Sequence, residues 1–196
     1  MRAFTKRAVA LTAIGAATSA AVLISAGAAS AATVTGGTIT LTINDSYVAQ
    51  LAKAGVVLVP QDAASVTYDN TADTISITFT VSGGTGSLDN YAGAVDASGS
   101  VLGFSFDHGV HFVSLSSLNF NVLNDSFDGT PSGGSDTPVL DLNGDIAASI
   151  NDPDQSISAD QLTIDPAGAA LLNSALGTNA FSANENIGTF SAAWTV

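Results

Sequence analysis

Residues 41–55, LTINDSYVAQLAKAG, and residues 162–177, LTIDPAGAALLNSALG, are one construction written twice. At an offset of 121 residues, Leu41, Thr42 and Ile43 fall on Leu162, Thr163 and Ile164, and Ala49, Leu51 and Ala54 fall on Ala170, Leu172 and Ala175. Each stretch opens with a short β-branched run and continues with apolar residues at helical spacing, so each reads as a strand that turns into a short helix. Asn44 and Asp165 occupy the same place and have side chains suited to an N-cap. Asp45 and Pro166 suit the first helical position, and Gly55 and Gly177 suit the close of the helix. The two units stand near the two ends of one body, and the fold follows from what lies between them.

Between and around them, period-two alternation dominates. In TITLTI, Ile39, Leu41 and Ile43 face one way and the threonines the other; TISITFTV repeats this with Ile75, Ile77, Phe79 and Val81. Strands of the same half-buried kind are expected at Leu102-Phe104-Phe106, Leu118-Phe120-Val122, Leu140-Leu142, Ile146-Ala148-Ile150 and Phe190-Ala192-Trp194-Val196. Gly/Ser/Asp-rich stretches at 82–87 and 125–137 read as flexible loops. The expected fold is mainly β: a single β-sandwich-like domain with two short helices.

The first residues carry Arg2, Lys6 and Arg7, then an apolar stretch, then AGAASAA, the pattern of a secretory signal peptide cleaved after Ala31. The expected organisation is a signal peptide over 1–31 and one domain over 32–196, secreted and with no membrane span in the mature chain. Three of the four basic residues sit in the signal. The remainder keeps Lys53 against 16 aspartates and Glu185, a formal net of −16. Nucleic acid is excluded as a partner, because phosphate neutralisation needs cations this chain lacks, and an anionic membrane surface is disfavoured likewise. With no cysteine, there are neither disulfides nor thiolate metal sites. The near-absence of Glu beside so many Asp fits acidic turns rather than long helices. The composition suits a soluble monomer.

In order along the chain, residues 36–60 (GGTITLTINDSYVAQLAKAGVVLVP), FTVSGG, GAVDASGSVLGFSF, VSLSSLNFNV and the closing LTIDPAGAALLNSALGTNAFSANENIGT resemble the HtaA-type domain of bacterial haem-uptake proteins and their secreted relatives. The resemblance spans nearly all of 32–196. Its most specific part is the last, with Leu162-Thr163, Leu172-Asn173 and Ile187-Gly188-Thr189. It implies a mostly-β domain with two short helices and an activity of haem capture, through a tyrosine from an early segment and a histidine in a motif like G-x-x-x-H-S-G. The matching segment here is 93–99, GAVDASG, with Ala97 at the histidine position; the first tyrosine after the signal, Tyr47, falls within the expected first helix. Both carried-over ligands are thus missing. Haem also brings two propionates that call for Arg or Lys. Substitute haem ligands would have to come from Tyr91, Tyr68, His108 or His111.

The only two histidines lie in FDHGVHF, residues 106–112, where Asp107-His108-Gly109 reads as a hairpin turn. Two histidines without a third ligand make a poor zinc site. Asp141, Asn143 and Asp145 take positions one, three and five of a calcium loop, but the glycine needed at six is Ile146. Asn143-Gly144 instead suggests a hairpin with strands on both sides. No G-x-S-x-G elbow occurs and Glu185 is the sole glutamate, so no enzyme is indicated. The functional expectation is a secreted HtaA-like extracellular binding or cell-envelope-associated protein with an unknown small ligand or envelope component and no cofactor. The alternatives are a haem-binding protein with non-standard ligands and a calcium-stabilised surface module.

Overall fold

The computed structural model describes residues 32–62 and 64–196; the signal peptide expected over 1–31 lies outside the described residues. The domain is mainly β, as expected. In chain order the elements are β1 (Gly36–Asn44), α1 (Asp45–Lys53), β2 (Val56–Gln61), β3 (Ala64–Asp69), β4 (Thr74–Thr80), β5 (Gly83–Gly84), β6 (Ala94–Ala97), β7 (Val101–Phe106), β8 (His111–Asn121), β9 (Ser126–Pro131), β10 (Thr137–Asn151), β11 (Asp154–Ile164), α2 (Pro166–Leu176) and β12 (Asn186–Thr195).

All described strands join one antiparallel sheet in the order β2-β7-β8-β9-β10-β11-β12-β1-β4-β3, with β6 pairing β8 and β5. The sheet curls, and its two end strands, β2 and β3, which follow one another in the chain, come near each other without pairing. Its interior is aromatic. Phe79 of β4 stacks on Phe127 of β9 at 5.8 Å, although the two strands are far apart in the sheet order, and Phe120, Phe190 and Trp194 complete the cluster. Burial follows the alternation read from sequence: Ile39, Leu41, Ile43, Ile77, Phe79, Phe190, Ala192 and Trp194 are all interior. On the outer face, Thr40 bonds Thr78 at 3.0 Å and Thr42 bonds Ser76 at 3.2 Å, a hydroxyl ladder across the β1–β4 pair.

The two strand–helix units flank β12. β1 pairs with one of its edges and β11 with the other, and Gly188 stands opposite both Ile43 and Leu162. Helices α1 and α2 then close one end of the curled sheet, around an apolar cavity of about 30 Å³ walled by residues such as Tyr47, Leu51, Phe104, Leu172 and Phe181.

Three expectations need correction. The stretch 125–137 contains β9, which runs between β8 and β10. Its Asp128 is buried because Ser126 donates to it at 2.6 Å and Asn121 at 3.4 Å, so a turn-like sequence serves as a central strand. The stretch 82–87 carries β5, and its end is fastened to the core by Trp194 Nε1, which donates to the Gly86 carbonyl at 3.0 Å. Asn143-Gly144 is not a hairpin turn: β10 runs through it to Asn151, with a bulge between Asn143 and Ile146, and the chain reverses after Asn151 instead. Gly144 takes φ +73°, and a glycine in that conformation serves a bulge as readily as a turn.

Candidate functional site

Beyond the bulge, β10 loses one neighbour. Its pairing with β9 ends at Asp141, whereas its pairing with β11 continues to Asn151. Ile146, Ala148 and Ile150 stand opposite Ala159, Ile157 and Gln155, so they share the face that β11 buries. Among the described residues no strand covers them there. Ile146 is 40% exposed and Ile150 48%, and the gap forms a cleft of about 770 Å³.

The opposite wall is the loop after β5. Ser87 and Ala92 exchange backbone hydrogen bonds of 2.9 and 3.1 Å, which pinches Leu88-Asp89-Asn90-Tyr91 into a tight turn. The Leu88 amide donates to Oε1 of buried Gln155 at 2.7 Å, and Trp194 holds Gly86. Leu88, Asp89 and Tyr91 face the cleft. Tyr91 has φ +48°. Among the described residues the other non-glycine positions with positive φ are Asp, Asn, Ser or His, whose short or polar side chains are found there far more readily than a large aromatic one. A bulky residue in that conformation is uncommon, and the Ser87–Ala92 turn holds it there. The cleft therefore offers an apolar floor, one phenol and one carboxylate, with no cation in its lining.

Of the other haem candidates, none reaches this cleft. Tyr68 lies half exposed on the end strand β3, where the nearby Asp45 carboxylate, slight burial and Asp73 raise its pKa. His108 sits fully exposed at the tip of the β7–β8 hairpin, 3.7 Å from the Asp107 carboxylate, and His111 opens β8 beside the Phe106 ring. The hairpin expected at Asp107-His108-Gly109 is present, with all three residues at positive φ. Ala97, at the position where the family resemblance puts its histidine, is fully buried on β6 opposite Leu118, which leaves no space there for an imidazole.

The calcium candidates are strung along β10 rather than gathered in a loop. Asp141 pairs with Thr163, Asn143 donates to Thr163 Oγ1 at 2.6 Å, and the amide of Asp145 bonds Asp160 beyond the bulge. Burial first, then the Asp165 charge and hydrogen bond and the Asp128 charge, push the Asp141 carboxyl up to about 6. Among the described residues no group of three or more His, Cys, Asp or Glu is placed to hold a metal ion. Nor is any helix long and apolar enough to cross a membrane.

The sequence named Tyr91 but missed its setting. Ile146 and Ile150 alternate like any half-buried strand, and their exposure depends on where β9 ends, which no local pattern records.

Among solved structures, the chain is similar to the C-terminal domain of HtaA from Corynebacterium glutamicum, with a TM-score of 0.57 and 13% sequence identity, over 83% of this chain and 98% of that one. The fold is HtaA-like. A domain-swapped dimer of a His-to-Ala variant of the same domain also matches, with a TM-score of 0.47 and 14% identity over 77% of this chain and 90% of that one. No protein-family model and no curated protein matches the sequence. The HtaA-like body thus agrees with the architecture implied by its strand–helix units.

Proposed function

We propose that this is a secreted or cell-envelope-associated binding protein, not an enzyme, that holds a small, mainly apolar molecule in the cleft between Tyr91 and the free part of β10. The observation that carries this reading is the strained Tyr91 facing uncovered Ile146 and Ile150 across a cleft of about 770 Å³, a size and lining typical of ligand sites. Asp89 at the rim and the net charge of −13 for the full chain favour a neutral or cationic ligand over an anionic one. A second reading is haem, with the Tyr91 phenolate as axial ligand, because Tyr91 is the one candidate that stands on an apolar wall. The missing cations leave its propionates to solvent.

Titration with the neutral dye Nile red and, separately, with hemin tests both. The expected result is a saturable blue shift of the dye, weakened at least tenfold in Ile150→Asp, and no saturable Soret shift with hemin. A Soret band lost in Tyr91→Phe would replace the first reading by the second. Dye and hemin binding unaffected by either substitution would remove the cleft as the site.

A further inference from the structure

The free part of β10 has an edge as well as a face. Residues 143–151 are all exposed, and after the bulge the outer edge of β10 pairs with nothing among the described residues. Natural strand edges are guarded by charges, prolines or covering elements. The end strands β2 and β3 also have unpaired outer edges, but β2 carries Pro60 and β3 ends at Asp69. From Ile146 to Ile150, by contrast, the β10 edge holds only Ile, Ala, Ala, Ser and Ile. It is an uncharged strip on a molecule that is otherwise strongly acidic.

The strip also reads nearly the same in both directions. A two-fold axis that joins two antiparallel edges into one sheet is perpendicular to that sheet and keeps each side chain on its own face. It must therefore pass through a residue rather than between two. With the axis through Ala148, Ile146 meets Ile150 of the second copy, Ala147 meets Ser149, and Asp145 meets Asn151. The two isoleucines pair across strands, and the only acidic residue of the seven faces an amide that can donate to it. Moving the axis to Ala147 or Ser149 breaks the isoleucine pairs and sets Ile150 against Gly144 or Ile146 against Asp152. We propose that a second copy of this chain docks on the edge of β10 at residues 145–151, about a two-fold axis through Ala148, so that one sheet continues through both subunits.

A single pair of seven-residue strands is about 24 Å long, small against the ~1,200–2,000 Å² of a stable interface. The dimer is accordingly concentration-dependent, and because both copies are acidic it tightens as salt screens their repulsion. This differs from the monomer that the composition suggested, and it stands whether or not a ligand occupies the neighbouring cleft.

The chain has no cysteine, so single substitutions report the register. Antiparallel partners have Cα atoms roughly 4.5–5.5 Å apart, within disulfide reach. Under mild oxidation Ala148→Cys should form a covalent dimer in high yield. Ile146→Cys and Ile150→Cys should each do so poorly alone, but well when mixed in equal amounts. Sedimentation velocity of the unsubstituted protein should show a dimer whose dissociation constant falls several-fold between 50 and 500 mM NaCl. Ala148→Lys, which sets two ammonium groups face to face at an already exposed position, should sediment as a folded monomer. Equal cross-linking of all three cysteine variants, or a monomer at every concentration and salt level, overturns the proposal.

Discussion

Helices α1 and α2 begin from matching sequences and end up built differently. In α2, Asp165 accepts hydrogen bonds from the amides of Ala167 at 2.5 Å and Gly168 at 3.3 Å, Pro166 takes the first position, and Gly177 closes the helix at φ +67°. Asn173 then fixes the following chain by bonding both the carbonyl and the amide of Phe181, at 2.7 and 3.1 Å. In α1, Asn44 holds the cap position without a side-chain bond, and Ala54 ends the helix in the right-handed conformation before Gly55 turns the chain at φ +82°. The largest contrast is one residue. Where α2 has Gly168, the equivalent position of α1 has Tyr47. Gly168 rests on the backbone of Val139, whereas the buried Tyr47 ring occupies this place in α1 and borders the 30 Å³ cavity. One unit is locked to the sheet; the other is wedged against it.

Adding a methyl at position 168 should break this contrast most severely. A Cβ there would lie 2.6 Å from the Val139 carbonyl oxygen and 2.7 Å from its Cα, backbone atoms that cannot rotate aside. In an exposed helix, Gly→Ala gains about 1 kcal/mol. Here the overlap should outweigh that gain and leave Gly168→Ala less stable by ~3 kcal/mol, a fall in Tm of about 10 °C. Urea and thermal melts would read it. An unchanged or raised Tm would mean that α2 rides higher above β10 than described.

Position 168 also shows what could be read in advance. The strand–helix plan, the caps at Asp165 and Gly177, and the inward faces of β1, β4 and β12 are local patterns, and the structure follows them. A glycine required because another backbone lies within 3 Å of where a Cβ would stand is a tertiary fact, and 162–177 alone gives no sign of it. The same holds for β9, whose Ser126-Phe127-Asp128-Gly129 reads as a turn until β8 and β10 are known to flank it. Of the candidate site, Tyr91 was nameable as a residue type. Its strained backbone and the bare face of β10 arise from the pinched loop and the end of a neighbouring strand, neither of which has a sequence period.

The cap position offers a pH test of the same comparison. Asp165 carries a charge beside Asp141, whereas Asn44 carries none at the matching site. Burial and the neighbouring carboxylates raise the Asp141 carboxyl to about 6, above the ~3.9 expected in the unfolded chain. Ionised Asp141 therefore opposes folding. The penalty is complete above pH 6 and is relieved as pH falls from 6 toward 4. Burial likewise raises Asp128 and Asp125. The protein should accordingly be more stable at pH 5 than at pH 7. Asp141→Asn should flatten this dependence and raise stability at pH 7 by about 1 kcal/mol, the full shift being discounted because solvent reaches a half-buried group. Equilibrium urea unfolding at the two pH values decides it: equal slopes with pH in both proteins would place Asp141 in contact with bulk water.

The smallest effect is expected from Tyr47→Phe, and its sign is informative. The hydroxyl is buried without a hydrogen-bond partner, as is Oε2 of the nearby Glu185, whose other oxygen accepts from Gln50 Nε2 at 2.9 Å. Burial, with the Glu185 charge second, drives the phenol pKa upward, so the hydroxyl is neutral at ordinary pH. An unpaired buried polar group costs about 1–3 kcal/mol. Tyr47→Phe keeps the ring that wedges α1 and removes only the orphaned oxygen, so stability should stay level or rise by up to ~1 kcal/mol. Tyr47→Ala, by contrast, deletes the wedge and enlarges the cavity, at a cost of ~3 kcal/mol or more. A loss above 1 kcal/mol in the Phe variant would show that the hydroxyl is paired in solution, with Glu185 as the partner in reach. The looser helix would then be held by a bond its counterpart has no need for.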